Sequence, residues 1–164
     1  MSDGLARFNG MPQAEAEQRL HACFASTSWA SRVAGRRPYA DFEELLDACE
    51  SVWSGLAPDE WLAAIKGHPR IGESGGHAPT SSAQEQRGVS AAPPETLAAL
   101  AVENRTYEAR FGHVFMISAS GLTADDVLAA LRRRLQNDPG TEADLAAGEL
   151  RKITRLRLER MLSE

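Results

Sequence analysis

The sequence predicts an all-α protein, and three observations carry that prediction. Apolar residues recur at helical spacing through most of the 164 residues. Pro, Thr and Asp stand where helices open and Gly where they close. No stretch makes a convincing β-sheet. The expectation is a bundle of about eight helices in one domain over residues 1–164, with no internal repeat and no low-complexity tract. A chain of this length buries roughly two thirds of the surface its unfolded form exposes. Its 43% hydrophobic, 25% charged and 6% aromatic content is that of an ordinary soluble globular protein.

In chain order, Pro12 opens PQAEAEQRLHACF, where Leu20, Cys23 and Phe24 share a face. A short helix over STSWASRVAG stops at Gly35 and Pro38. Asp41 with Glu44 three residues on starts the next, whose Phe42, Leu45, Leu46, Cys49 and Trp53 line one side up to Gly55. Pro58 opens APDEWLAAIKG, and Gly67 with Pro69 forbids easy continuation, which leaves His68 at the helix end. RIGESGGHAPTSS is long and Gly/Ser/Pro-rich, the composition of a functional loop. SSAQEQRG follows as a short helix opened by a Ser. A long helix over PPETLAALAVENRTYEARF uses Leu97, Leu100, Ala101, Tyr107 and Phe111 and closes at Gly112. HVFMISASG reads as extended chain. Thr123 caps ADDVLAALRRRLQN, and Thr141 with Glu142 and Asp144 caps the last helix.

A formal charge of −5 sets an unfavourable field for phosphate backbones, so no nucleic-acid partner is expected. Arginines cluster at Arg132, Arg133 and Arg134 and again between Arg151 and Arg160; the latter group alternates with acids and reads first as a solvated helix face. Cys23 and Cys49 lack metal-ligand spacing and read as buried thiols. No signal-peptide or membrane-span run is present and the final MLSE is not an SKL-type address, so the expected location is the cytoplasm, with no membrane partner.

Chemistry-bearing side chains fall in three segments: His68 with its loop, Ser82 to Gln86, and the arginine-rich last helix. Ser82 and Glu85 stand on one helical face, but taken alone they read first as a capping box, Ser82 at the N-cap and Glu85 at N3. His68 alone reads first as a helix-terminal His, and its place before Pro and a Gly-rich loop turns it toward acid–base work. A metal is not expected, because His68 and His77 lack HExxH spacing and no Cys or carboxylate cluster joins them. GxSxG, GxGxxG and GxxxxGK[ST] are all absent.

Four motifs in order complete the reading: HPRIG at 68–72, SxxEQ at 82–86, N..Y...FG..F.I.A.G at 104–121, and KI..LRL..ML at 152–162. Together they resemble the OHCU decarboxylase family, whose members convert 2-oxo-4-hydroxy-4-carboxy-5-ureidoimidazoline to (S)-allantoin in urate degradation. FNG, the Trp29 segment, RRPYADFEELLDAC and EWLAAIKG extend the likeness over nearly the whole chain. The resemblance implies a small-molecule substrate, no cofactor, and a homodimer. It implies His68 as catalytic acid/base, with Glu85 beside it and Pro69 in the pocket wall. Ser82, Ala83, Gln84, Glu85 and Gln86 would bind substrate, Glu85 and Gln86 pointing inward to hold ureido and ring N–H groups. Backbone groups of Ile117, Ser118, Ala119, Ser120 and Gly121 would contact the ring. Arg157, the arginine of LRL, would anchor it, with Arg155 and Arg160 one turn or less away. The rival expectations are a non-catalytic helical module binding allantoin-like ligands and a metal-dependent hydrolase.

Overall fold

The computed structural model describes residues 2–73 and 75–164; Ser74, within the Gly-rich loop, lies outside the described residues. Among the described residues it contains ten helices and no strand. They are α1 (Ser2–Gly10), α2 (Gln13–Cys23), α3 (Thr27–Ala34), α4 (Phe42–Trp53) and α5 (Pro58–Lys66), then α6 (Pro79–Glu85), α7 (Arg87–Ser90), α8 (Pro94–Phe111), α9 (Ala124–Arg134) and α10 (Pro139–Ser163). The two beyond the expected eight are α1, whose acid–apolar pattern is only nine residues long, and α7, a single turn after Gln86. No described helix is long and apolar enough to cross a membrane.

By their internal contacts the residues form two compact units, Met1–Ala64 with Ile153–Glu164, and Ile65–Lys152. The first is built on aromatic residues that the helical spacing of α2, α3 and α4 turns inward. Trp29 stacks on Trp53 with ring centroids 5.5 Å apart, and Phe24 meets Trp29 at 5.1 Å and Trp61 edge-on at 5.2 Å. Such pairs each add about 0.5–1.5 kcal/mol beyond the area they bury. Cys23 and Cys49 are buried and form no disulfide, and burial pushes the Cys49 thiol up, as expected of inert core thiols. Asp41 caps α4 by accepting from the Glu44 N–H at 2.9 Å. Arg37 ties the α1 and α3 ends together, donating to the carbonyls of Ala34, Phe8 and Met11 at 2.6–2.9 Å. At Gly4 the backbones of α1 and the C-terminal turns of α10 approach so closely that a Cβ would lie 1.7 Å from the Leu162 carbonyl oxygen.

In the second unit Ile71, Val89, Leu100, Tyr107, Phe115, Ile117, Val127 and Leu131 form one apolar cluster. Each large side chain so buried is worth roughly 1.5–3 kcal/mol. Residues 114–119 form neither helix nor strand, and Phe115, Ile117 and Ala119 join residues of α8 and α9 in this cluster. Thr123 caps α9 as expected, and Asp126 completes a capping box with it. The start of α10 differs from expectation. Pro139 takes the first-turn position, so the cap falls to Asp138, whose carboxylate accepts from the Thr141 N–H at 2.9 Å and its hydroxyl at 2.6 Å.

Asp126, bonded to the Thr123 backbone, and Asp138, bonded to the Thr141 hydroxyl, are both held below the ordinary 3.8. A depressed folded-state value means that the stabilisation is complete above the unfolded pKa and is lost as pH falls through the folded one. Asp138→Asn should therefore lower the urea midpoint at pH 7, and that deficit should shrink at pH 3.

Candidate functional site

Gly67 and Pro69 end α5 as the sequence predicts, and His68 sits two residues beyond its last turn with its N–H on the Ile65 carbonyl at 3.0 Å. The side chain is turned inward, 9% exposed. After Pro69 the chain is held from two directions. Asn104 of α8 donates to the Ile71 carbonyl at 2.9 Å, and the Gly72 N–H donates to the Gln86 side-chain oxygen at 2.8 Å. Arg70 adds an exposed pair with Glu108 at 2.6 Å, and that carboxylate holds the guanidinium above its ordinary range. Asn104 and Gln86 thus act as posts for the HPRIG segment.

Ser82 is not the cap of its helix. Pro79 occupies the first turn and Ala78 the N-cap, so α6 starts four residues earlier than a Ser82 cap requires. Ser82 lies inside the helix and Glu85 ends it, and the three-residue spacing puts both on the buried face, 4% and 7% exposed. Gln86, the residue joining α6 to α7, is 6% exposed. Ala83 and Gln84 fall on the opposite face and are exposed. The Gly72 N–H takes one lone pair of the Gln86 oxygen, and the Gln86 NH₂ remains a donor.

The expected contact segment is anchored by side chains from α9 and α10. Arg134 donates to the Met116 carbonyl at 2.5 Å, and the Ser118 N–H donates to a Glu149 carboxylate oxygen at 3.1 Å. Ala119 accepts from the Leu122 N–H at 3.0 Å in a turn that leaves Ser120 and Gly121 exposed. Ile117 and Ala119 pack in the same cluster as Ile71, so HPRIG and 117–121 share one core. His68, Pro69, Ser82, Glu85, Gln86 and Ile117 to Gly121 thus belong to one unit, and Arg157 to the other. Of the three arginines the sequence leaves open, Arg157 is buried, 3% exposed, with Nη1 3.4 Å from the Ala22 carbonyl, whereas Arg155 is exposed and Arg160 half-buried.

Two features escape a reading of the sequence. The first is a buried network: Glu142 is wholly inaccessible and accepts from the Tyr107 hydroxyl at 2.5 Å, from Arg134 Nε at 2.7 Å and from Asn137 at 3.2 Å. Burial first, then the bond to Glu142, pushes the Tyr107 hydroxyl far up, so it stays a donor. Glu142 is thus a core residue rather than an acid of a solvated first turn. The second is His77, whose ring meets that of His68 edge to face with centroids 4.9 Å apart. What could have found it is a second imidazole in a glycine-rich loop whose length already pointed to function.

Chemically, the unit buries an imidazole, a carboxylate and an amide, and the amide is bonded to the segment that follows the imidazole. That set can bind a small polar ring and move protons on it.

The OHCU decarboxylase family model matches residues 9–159. Uric acid degradation bifunctional protein TTL of Arabidopsis thaliana is 29% identical over 154 residues, 90% of this chain and 48% of that protein. PucL, a protein of the same description from Bacillus subtilis, is 29% identical over 88% of this chain and 30% of its own length. The chain therefore spans half or less of these longer curated relatives. The 2-oxo-4-hydroxy-4-carboxy-5-ureidoimidazoline decarboxylase of Haloferax volcanii is 31% identical over 82% of each chain. A crystal structure of OHCU decarboxylase in the presence of (S)-allantoin superposes with TM-score 0.78 at 28% identity, covering 90% of this chain and 99% of that one. A crystal structure of (S)-allantoin synthase, with TM-score 0.76 at 20% identity over 96% of this chain and 53% of that one, shares the fold.

Proposed function

Because the chain belongs to the OHCU decarboxylase family, we infer that it releases carbon dioxide from 2-oxo-4-hydroxy-4-carboxy-5-ureidoimidazoline to give (S)-allantoin, a step of urate breakdown. The observation that carries this reading is the burial, in one unit, of the His68 of HPRIG with the Glu85 and Gln86 of SxxEQ. The 31% identical decarboxylase relative and the structure solved with (S)-allantoin support it.

The substrate carries its own electron sink. When the C4–carboxylate bond breaks, its electron pair forms a C4=C5 double bond and the C5=N π pair moves to nitrogen, which takes a proton. Protonation at C5 and loss of the C4 hydroxyl proton then give the ring amide carbonyl at C4, so no external sink is called for. The protein's tasks are placement, charge compensation, and delivery of the C5 proton to one face. His68 interacts with the C4 hydroxyl and shuttles protons. Glu85 accepts ureido or ring N–H groups and the Gln86 NH₂ donates to a carbonyl oxygen. Arg157 anchors an anionic or carbonyl oxygen in its fork, an assignment that rests on the LRL motif. The same family reading carries a cytoplasmic homodimer, to be checked by sedimentation and cell fractionation.

The reading is tested by adding purified protein to substrate freshly made by urate oxidation and hydrolysis and following carbon dioxide release. Acceleration over spontaneous decay, unchanged by EDTA, is expected. Retention of ligand without acceleration would favour a binding module, and sensitivity to EDTA a metal-dependent hydrolase. Glu85→Gln should reduce turnover at least tenfold with little change in melting temperature, since Glu85 ends its helix rather than capping it. Equal turnover per folded molecule would remove Glu85 from the substrate.

A further inference from the structure

We propose that His77 is a positioning residue for His68, holding its imidazole in the orientation that proton transfer needs; the proposal rests on His68 being the acid/base of the reading above. Both the loop backbone and the His77 ring are fixed on the peptide that precedes His68. The Gly67 carbonyl accepts from the His77 N–H at 2.8 Å and faces its ring Nδ1 at 2.9 Å. A carbonyl only accepts, so Nδ1 carries a proton and the His77 ring is locked by its own backbone partner.

The adjacent glycine makes this approach possible. Gly76 has φ +79°, and a Cβ there would lie 2.7 Å from both the Gly67 oxygen and Pro69 Cδ. No other residue type lets the loop close on the Gly67–His68–Pro69 turn. Thus fixed, the His77 ring meets the His68 ring at an interplanar angle of 74° with centroids 4.9 Å apart. The His68 backbone is already set by its bond to Ile65 and by Pro69, so the rotation about its side-chain bonds is what remains to be fixed. A ring wall on one face does that.

A base held in the wrong rotamer costs rate rather than substrate affinity, because misplacement acts on the proton transfer. In the full chain, His77→Ala should therefore lower kcat by about 10- to 100-fold with KM within about twofold and an unchanged melting temperature. His77→Asn, which keeps a donor for Gly67, and His77→Phe, which keeps the ring wall, should each recover part of that loss. Wild-type kcat in His77→Ala, or a raised KM with kcat intact, would overturn the proposal, the latter by making His77 a substrate contact. Long-range ¹H–¹⁵N spectra of the imidazoles give a readout independent of turnover. They should show His77 protonated at Nδ1 and the His68 ring signals broadened or shifted in His77→Ala but restored toward wild type in His77→Phe. Unmoved His68 signals would defeat the proposal even if the protein accelerates the reaction. Moved signals in a protein with no turnover would leave the positioning intact and defeat the decarboxylase reading instead.

Discussion

His68→Asn should lower kcat by about 10² to 10⁴ while the protein melts within a few degrees of wild type. The size follows from removing the group that both gives and takes the proton. The small structural effect follows from what holds the turn. The His68 backbone N–H bonds Ile65, while Ile71 and Gly72 are tied to Asn104 and Gln86, and none of these contacts involves the imidazole. Asn is smaller than His and polar, so it fits a side chain that is 9% exposed without burying a new charge. A variant retaining turnover within a few fold of wild type would mean that the proton comes from elsewhere, and Glu85 would become the first candidate.

The largest effect on stability is expected at Glu142. Glu142→Ala removes the acceptor of Tyr107, Arg134 and Asn137 at once and leaves the Arg134 guanidinium, 11% exposed, beside a cavity. Breaking a buried charge pair by deleting one partner costs about 3–5 kcal/mol, a large fraction of the stability of a domain of this size. Replacing both partners removes the uncompensated charge, so Glu142→Ala combined with Arg134→Met should be less destabilised than the sum of the single changes, by about 1 kcal/mol or more in a double-mutant cycle. The single variant should also lose activity, because Arg134 holds the Met116 carbonyl at the root of the 117–121 segment. A urea-melt loss below about 1 kcal/mol would show that water replaces the carboxylate and that the pair is no more than an exposed bridge.

Much of the helix architecture was legible because the signals were local. Pro58, Asp41, Thr123 and Gly112 stand where single-turn chemistry places them, and the faces of α2, α4 and α8 follow from periodicity. Errors arose where two local signals competed. At 79–85, Ser82 with Glu85 spelled a capping box, yet Pro79 had already opened the helix; at 138–142, Thr141 with Glu142 spelled a cap, yet Asp138 and Pro139 took that role. In both cases proline at the first turn decided, and the displaced acid was free to turn inward.

The site was legible in part for the same reason. The three-residue spacing of Ser82 and Glu85 foretold a shared face, and the structure makes that face the buried one while Ala83 and Gln84 point to solvent. What the sequence could not supply is contact between residues distant along the chain. Gln86 on Gly72, Asn104 on Ile71 and His77 against His68 depend on how α6, α8 and the loop fold back on residues 67–72.

The most direct measurement is circular dichroism of the decarboxylation of freshly generated substrate, with wild type and His68→Asn run in parallel. Rapid growth of the (S)-allantoin signal is expected with wild type alone, because only a protein-held proton donor can choose one face of C5. An optically silent product from wild type, formed no faster than in buffer, would contradict it.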